Sequence, residues 1–298
     1  MNVVMMDRVT KRYRGVAALD GVSFALAENA IHGLLGRNGA GKTTTMQILT
    51  GQAFATSGTV EVFGRHPYEN RGVLRRVCFV KESQRYPDFY QVRHALSAAA
   101  LAFPNWDAQL AADLVADFAL PPNRKIKNLS RGMLSAVGVV IGLASRAPLT
   151  FFDEPYLGLD PVARQMFYDR LLADHAEHPR TVVLSTHLID EVSALIQHVV
   201  LIDGGRVLAD APADVLRRAA VTVSGPAAVV GSVVAGRREL YREQQGDVLR
   251  VTVLGAPERP PGQDLLFEPL SLQQLVVGMT RSNGSRAVAP GPHARSPR

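Results

Sequence analysis

The sequence of 298 residues contains a single cysteine, Cys78, so no disulfide can form within the chain, and a reducing compartment suits it. The surrounding VCFV casts that thiol as buried apolar filler. No apolar run approaches the ~20 residues that a membrane-crossing helix needs. The opening Met1-Asn-Val-Val-Met-Met-Asp lacks the basic start and long apolar region of a signal peptide, so the chain is expected in the cytosol. Clustered charge is missing too. The 33 Lys and Arg exceed the 27 Asp and Glu for a net +6, but the arginines are scattered and several fall in the last twenty residues. That pattern gives no basic patch, and no nucleic-acid partner is expected. No internal repeat is present.

What the sequence does have is alternation. Residues 3–6, 22–26 and 59–63 read as short strands beside turn signals. The apolar run at 30–35 reads as a strand feeding a glycine-rich loop, and KTTTMQILTG as a helix ended by Gly51. From about 92 to 145 the chain is rich in Ala and Leu at helical spacing, with Pro121-Pro122 closing one helix. Apolar strands follow at 148–152 and 182–186 around a helix at 161–174, and HVVLIDGGRVLAD reads as a hairpin turning at Gly204-Gly205. Strands interleaved with helices predict a mostly parallel sheet. The expected organisation is one large domain at 1–217 with a helical part at about 83–146. A small β/α module is expected at 218–281 and a Pro/Gly/Ser/Arg-rich disordered tail at 282–298.

The loop GRNGAGKT fits G-x-x-x-x-G-K-[ST], with Gly36, Gly41, Lys42 and Thr43 in the specified places. Its position between an expected strand and an expected helix lets consecutive backbone N–H groups and a helix N-terminus converge on phosphate oxygens. Without those neighbours it would be an ordinary turn. Asn38, Gly39, Ala40 and Thr44 complete the loop as nucleotide contacts. Lys42 is placed to neutralise the β- and γ-phosphates, and Thr43 to ligate Mg²⁺. LTFFDEP then ends an apolar strand in two carboxylates, Asp153 for the metal through a water and Glu154 to polarise the attacking water.

With these pieces in order the chain resembles the ATP-binding subunits of ABC transporters over residues 1–217. LSRGM at 129–133 resembles that family's LSGGQ signature, with Leu129, Ser130 and Gly132 retained. YLGLD at 156–160 resembles its D-loop and ends in Asp160, and STH at 185–187 supplies the position of its switch histidine, His187. Tyr13 sits where the family stacks an aromatic ring on adenine. GLLGRNGAGKTT, FFDEP and GLDP are closest to ATPases of prokaryotic exporters of the drug and bacitracin-resistance type. The resemblance implies an α/β fold: a RecA-like P-loop NTPase core, an antiparallel β subdomain and an α-helical signature subdomain. It implies ATP hydrolysis with ATP and Mg²⁺ as cofactors. It also implies a second ATPase subunit, identical or different, because Ser130 and the amides of Arg131 and Gly132 would meet the γ-phosphate held by the other chain. A separate transmembrane permease would then hold the chain on the inner face of the membrane.

The sequence departs from the family pattern in places. Met133 stands where glutamine is usual and Arg131 where glycine is usual. The glutamine that reaches Mg²⁺ in the family aligns with Glu82, with Gln84 as the alternative. Trp106 in FPNWD is either packing at a helix start or a permease contact. The rival function is a soluble ABC ATPase acting on ribosomes or DNA. Such proteins carry two fused ATPase domains or a long coiled-coil insertion, which this chain lacks. A non-catalytic subunit fits poorly with Lys42, Asp153, Glu154 and His187 all present.

Overall fold

The computed structural model describes residues 1–82, 84–260 and 264–287. It divides into two compact units, Met1–Asp210 and a second that begins at Ala211.

The first unit opens with β1 (Asn2–Tyr13), β2 (Val16–Ala27) and β3 (Ile31–Leu35), followed by α1 (Lys42–Leu49) and β4 (Ser57–Val62). A single helical turn, α2 (Arg71–Leu74), leads to β5 (Val77–Lys81). Three helices, α3 (Val92–Ala102), α4 (Ala108–Asp117) and α5 (Arg131–Ala144), then precede β6 (Leu149–Asp153). After α6 (Pro161–Glu177), β7 (Thr181–Thr186) and the short α7 (Ile189–Val192), the hairpin strands β8 (His198–Asp203) and β9 (Arg206–Pro212) complete the sheet.

Two sheets result. β2-β1-β4 is antiparallel, and a six-stranded sheet runs β5-β6-β7-β3-β8-β9. From β5 to β8 its neighbours are parallel. Strands covered on both faces should be apolar throughout rather than alternating. IHGLL, LTFFD and TVVLST show no alternation between an inner and an outer face: every residue of β3, β6 and β7 is buried, the polar ones included. One core joins the sheets: Val4, Met6 and Phe24 of the antiparallel sheet pack in the same cluster as Met46 of α1 and Leu34, Phe151 and Val183 of the parallel one.

β5 is a strand that the sequence reading passed over. Five residues ending in lysine carry too little periodicity to separate a buried strand from a loop, and here VCFVK pairs residue by residue with β6. β1 also runs well beyond the short strand expected at 3–6, pairing with β2 out to Tyr13 across several irregularities of register.

The register of the parallel strands builds the site. Asp153 lies opposite Ser185, and Leu35 opposite Thr186. The loop after β3, the two carboxylates after β6 and the end of β7 therefore emerge side by side at the carboxyl edge, where open α/β sheets bind ligands.

The second unit holds α8 (Ala213–Arg218), β10 (Ala220–Pro226), α9 (Ala227–Val233), β11 (Glu239–Gln245), β12 (Val248–Leu254), β13 (Leu266–Pro269) and α10 (Leu272–Ala287). Its antiparallel sheet runs β11-β12-β10-β13 over a small core that includes Val223, Val230, Val251 and Leu265. The division falls after Asp210 because α8 packs with β10 and α10. The backbone of α10 continues through 282–287, the first part of the segment read as a tail. Residues 288–298 of that segment lie outside the described residues.

Candidate active site

β3 delivers the chain into Gly36, and the loop ends at Gly41, which caps α1 in a left-handed conformation with φ +111°. A Cβ on Gly41 would lie 2.7 Å from Leu19 Cδ2 and 2.8 Å from the Ala18 carbonyl oxygen, so glycine is required for conformation and for space. No side chain caps α1. Its first N–H groups and the positive end of its dipole are left for an anion. Lys42 is buried. Its Nζ donates to the carbonyl oxygens of Gly36 at 2.8 Å and Arg37 at 3.3 Å, and lies 3.7 Å from Glu154 Oε1.

Thr43 Oγ1 donates to Asp153 Oδ2 at 2.8 Å. The other oxygen, Oδ1, is buried with no hydrogen-bond partner, as is the Ser185 hydroxyl on the paired strand. Burial raises the Asp153 carboxyl above its ordinary range, opposed by the Thr43 hydroxyl, by the Ser185 hydroxyl that lies near it without completing a well-formed bond, and by the Lys42 ammonium, while the Glu154 charge adds to the rise. An unpartnered buried carboxylate oxygen calls for an explanation. Beside a threonine hydroxyl it forms a hard oxygen pair of the kind that holds Mg²⁺. Among the described residues no group of three or more His, Cys, Asp or Glu is arranged to hold a metal. Beyond Thr43 and Asp153 a cation here would draw on phosphate, on water and on Glu82, which lines the same cleft.

Glu154 adopts φ +51°, a left-handed conformation that costs a non-glycine residue energy and concentrates at functional sites. Its carboxylate accepts a hydrogen bond from the buried Tyr156 hydroxyl and lies 2.7 Å from His187 Nδ1. The Tyr156 oxygen accepts from Thr186 Oγ1 at 3.0 Å and from the His187 backbone N–H at 3.1 Å. A phenol has one proton to give and two lone pairs to fill, so these contacts saturate it. With that proton on Glu154, the carboxylate can only accept from His187, so Nδ1 is the nitrogen that carries hydrogen toward it. Burial, reinforced by the bond to Glu154, pushes the Tyr156 hydroxyl far up and keeps it protonated.

These groups line a cleft of about 400 Å³ that brings together Asn38, Gly39, Ala40, Gly41, Lys42, Thr43, Thr44, Glu82, Asp153, Glu154 and His187. Gly36 joins it through Lys42. Tyr13 is not among the lining residues. It stands half-exposed at the end of β1, opposite Val16, with Lys11 Nζ 4.7 Å from its ring centroid. Ser130, Gly132 and Asp160 also lie outside the lining. The Ser130 hydroxyl caps α5 by accepting from the Met133 N–H at 3.2 Å, and Asp160 caps α6 by accepting from the Ala163 N–H at 2.9 Å. Three contributors went unread in the sequence: Ala18 and Leu157 on the cleft wall and Tyr156 behind Glu154. For Tyr156 the available signal was a phenol two residues after a catalytic-type carboxylate.

A larger hollow of about 700 Å³ elsewhere on the first unit includes Arg146 and Arg180. Their charge is already matched: Arg146 pairs with Asp107 and Asp174, and Arg180 with Asp174. It has neither the open helix start nor the unpartnered carboxylate of the smaller cleft.

Comparison with known proteins follows the same lines. The family described as "ABC transporter" matches residues 19–157. The chain is 33% identical over 219 residues to the Nod factor export ATP-binding protein I of Burkholderia orbicola (strain AU 1054), covering 70% of this chain and 71% of that one. It is 28% identical over 222 residues to the bacitracin transport ATP-binding protein BcrA of Bacillus licheniformis, with 72% of each covered. Among solved structures, an ATP-binding subunit of an ABC transporter superposes with a TM-score of 0.66 at 25% identity, covering 72% of this chain and 92% of that one. The chain belongs to the ABC transporter family, among its ATP-hydrolysing subunits.

Proposed function

We propose that the chain binds Mg²⁺-ATP on the 36–44 loop, hydrolyses it with Glu154 as general base, and works as one of two paired ATPase subunits powering export through a separate permease. The observation that carries this reading is the meeting of Thr43, Asp153, Glu154 and Lys42 at the carboxyl edge of the parallel sheet. The α1 amides and Lys42 would hold the phosphates, and Thr43 and Asp153, with Glu82 on the same cleft wall, would hold the metal. When bound, Mg²⁺ neutralises charge on the β- and γ-phosphate oxygens. Glu154 takes the proton of the attacking water, and His187 and Tyr156 orient its carboxylate. Lys42 answers to the arriving phosphates, so its hold on Glu154 loosens as substrate binds.

Pairing of subunits is supported by the placement of Ser130 and Gly132, which do not line the cleft that holds Lys42. Their loop would serve the nucleotide of a second chain, with Asp160 at the same interface and Tyr13 against adenine. A separate permease is supported by the absence, among the described residues, of any helix long and apolar enough to cross a membrane. The chain would therefore sit on the inner membrane face through that partner. Export is supported by the name of the Nod factor relative.

Asp153→Asn tests the assignment with two readouts. Neutralising the carboxylate should abolish Mg²⁺-dependent turnover. Burial raises this carboxyl, so its charged form costs stability above the unfolded Asp value and the penalty fades as pH falls through the folded one. The nucleotide-free variant should accordingly melt higher than wild type at neutral pH. Retained Mg²⁺-dependent turnover in Asp153→Asn would remove the metal from this site.

A further inference from the structure

Two of the three departures from the family pattern, Arg131 and Glu82, meet in the fold. Arg131 Nη2 lies 2.7 Å from Glu82 Oε1, across 49 residues of sequence. Arg131 is the first residue of α5, and Glu82 directly follows β5. A cation in the first turn of a helix opposes the helix dipole, and α5 has no acidic residue there to offset it. Arg131 therefore gains little from its own helix, and its partner is the carboxylate on the cleft wall. Its stem also covers Gly158, whose added Cβ would fall 2.9 Å from Arg131 Cγ. The one side chain thus touches the loop after β5, the signature segment and the loop between β6 and α6. Glu82 shares the cleft with Thr43 and Asp153, yet its carboxylate is turned to Arg131.

We propose that Arg131 is a positioning residue that holds the Glu82 carboxylate at the start of α5 in the nucleotide-free chain. Mg²⁺-ATP then competes with Arg131 for Glu82, and the signature segment is released as Glu82 turns to the metal. The proposal rests on the assignment of the cleft to Mg²⁺-ATP. It makes Arg131 and Glu82 one device that sets the metal concentration at which the site engages. Both partners are substantially solvent-exposed, and exposed ion pairs are weak. The device is therefore a threshold of a few fold and not a block.

The test is the Mg²⁺ concentration for half-maximal binding of a non-hydrolysable ATP analogue, measured by calorimetry. Hydrolysis of ATP and melting temperature are recorded alongside for each protein. Arg131→Gln and Arg131→Met, two neutral variants, should reach half-saturation at about two- to fivefold lower Mg²⁺ than wild type, the range expected from an exposed pair. Arg131→Lys keeps the charge and should stay near wild type. In a Glu82→Gln background, adding Arg131→Gln should shift nothing further, because the pair is already gone. An unchanged Mg²⁺ requirement in both neutral variants overturns the proposal. So does the same shift with and without Glu82, which would make Arg131 a structural residue only. Absence of hydrolysis in wild type, with the Mg²⁺ shift intact, would instead overturn the functional reading and leave the latch standing.

Discussion

The two units treat buried polar groups in opposite ways. In Met1–Asp210, Asp153 Oδ1, Ser185 Oγ, His32 Nδ1 and Arg180 Nε are buried with no partner, and Glu154 is held at φ +51°. In the second unit the Thr222 and Thr252 hydroxyls bond each other at 2.9 Å and Thr280 donates to the Val276 carbonyl oxygen at 3.0 Å. Among its described residues no buried side-chain polar atom lacks a partner, and positive φ falls only on glycines. An unsatisfied buried group costs roughly 1–3 kcal/mol. Of these, Asp153 Oδ1 and Ser185 Oγ sit opposite each other at the ends of β6 and β7, where a bound cation can supply a missing partner, whereas His32 and Arg180 do not line that cleft.

The sharpest way to break this contrast is Lys42→Ala. Removing the buried ammonium takes away the cation for the phosphates and the charge beside Glu154. ATP binding measured by calorimetry should be lost and turnover should fall at least about 10³-fold, the scale for a cation balancing charge on a transferring phosphoryl group. Unchanged nucleotide affinity would place the site elsewhere.

A milder probe is Tyr156→Phe, which deletes one hydroxyl and its bonds to Glu154, Thr186 and His187. Turnover should drop about tenfold with ATP affinity unchanged, the lower end of what an orienting partner contributes. Loss of affinity and turnover together would make Tyr156 a packing residue.

The smallest effect belongs to the second unit. Thr252→Val strands the Thr222 hydroxyl and should cost about 1–2 kcal/mol of stability in that unit, while Thr222→Val with Thr252→Val should recover most of it. ATP hydrolysis should not change in either. A drop in turnover would mean that the second unit contributes to catalysis.

What the sequence makes legible is what is local. The strand, glycine loop and helix at 31–49 form within twenty residues, and FFDEP carries both the buried strand and its terminal carboxylates. The parallel sheet follows from apolar runs that the structure buries at every position. What escapes is set by pairing at a distance. Tyr156 matters because β7 brings Thr186 and His187 to it from about thirty residues away. The Glu82–Arg131 pair needs β5 and α5 placed first, and β5 itself is too short to announce a period. The caps at Ser130 and Asp160 show the converse. In one chain these residues do the ordinary work of helix starts, and the further role proposed for them would require a second chain.

As the proposed general base, Glu154 separates hydrolysis from binding, and Glu154→Gln measures that separation most directly. The substitution keeps the side chain's size and removes its capacity to accept a proton. ATP affinity should persist while hydrolysis falls by about 10²–10⁴-fold, the range for losing a general base. Size-exclusion chromatography with light scattering in Mg²⁺-ATP should then show a stable dimer of the mutant where wild type returns to monomer. Wild-type turnover by Glu154→Gln would contradict the account.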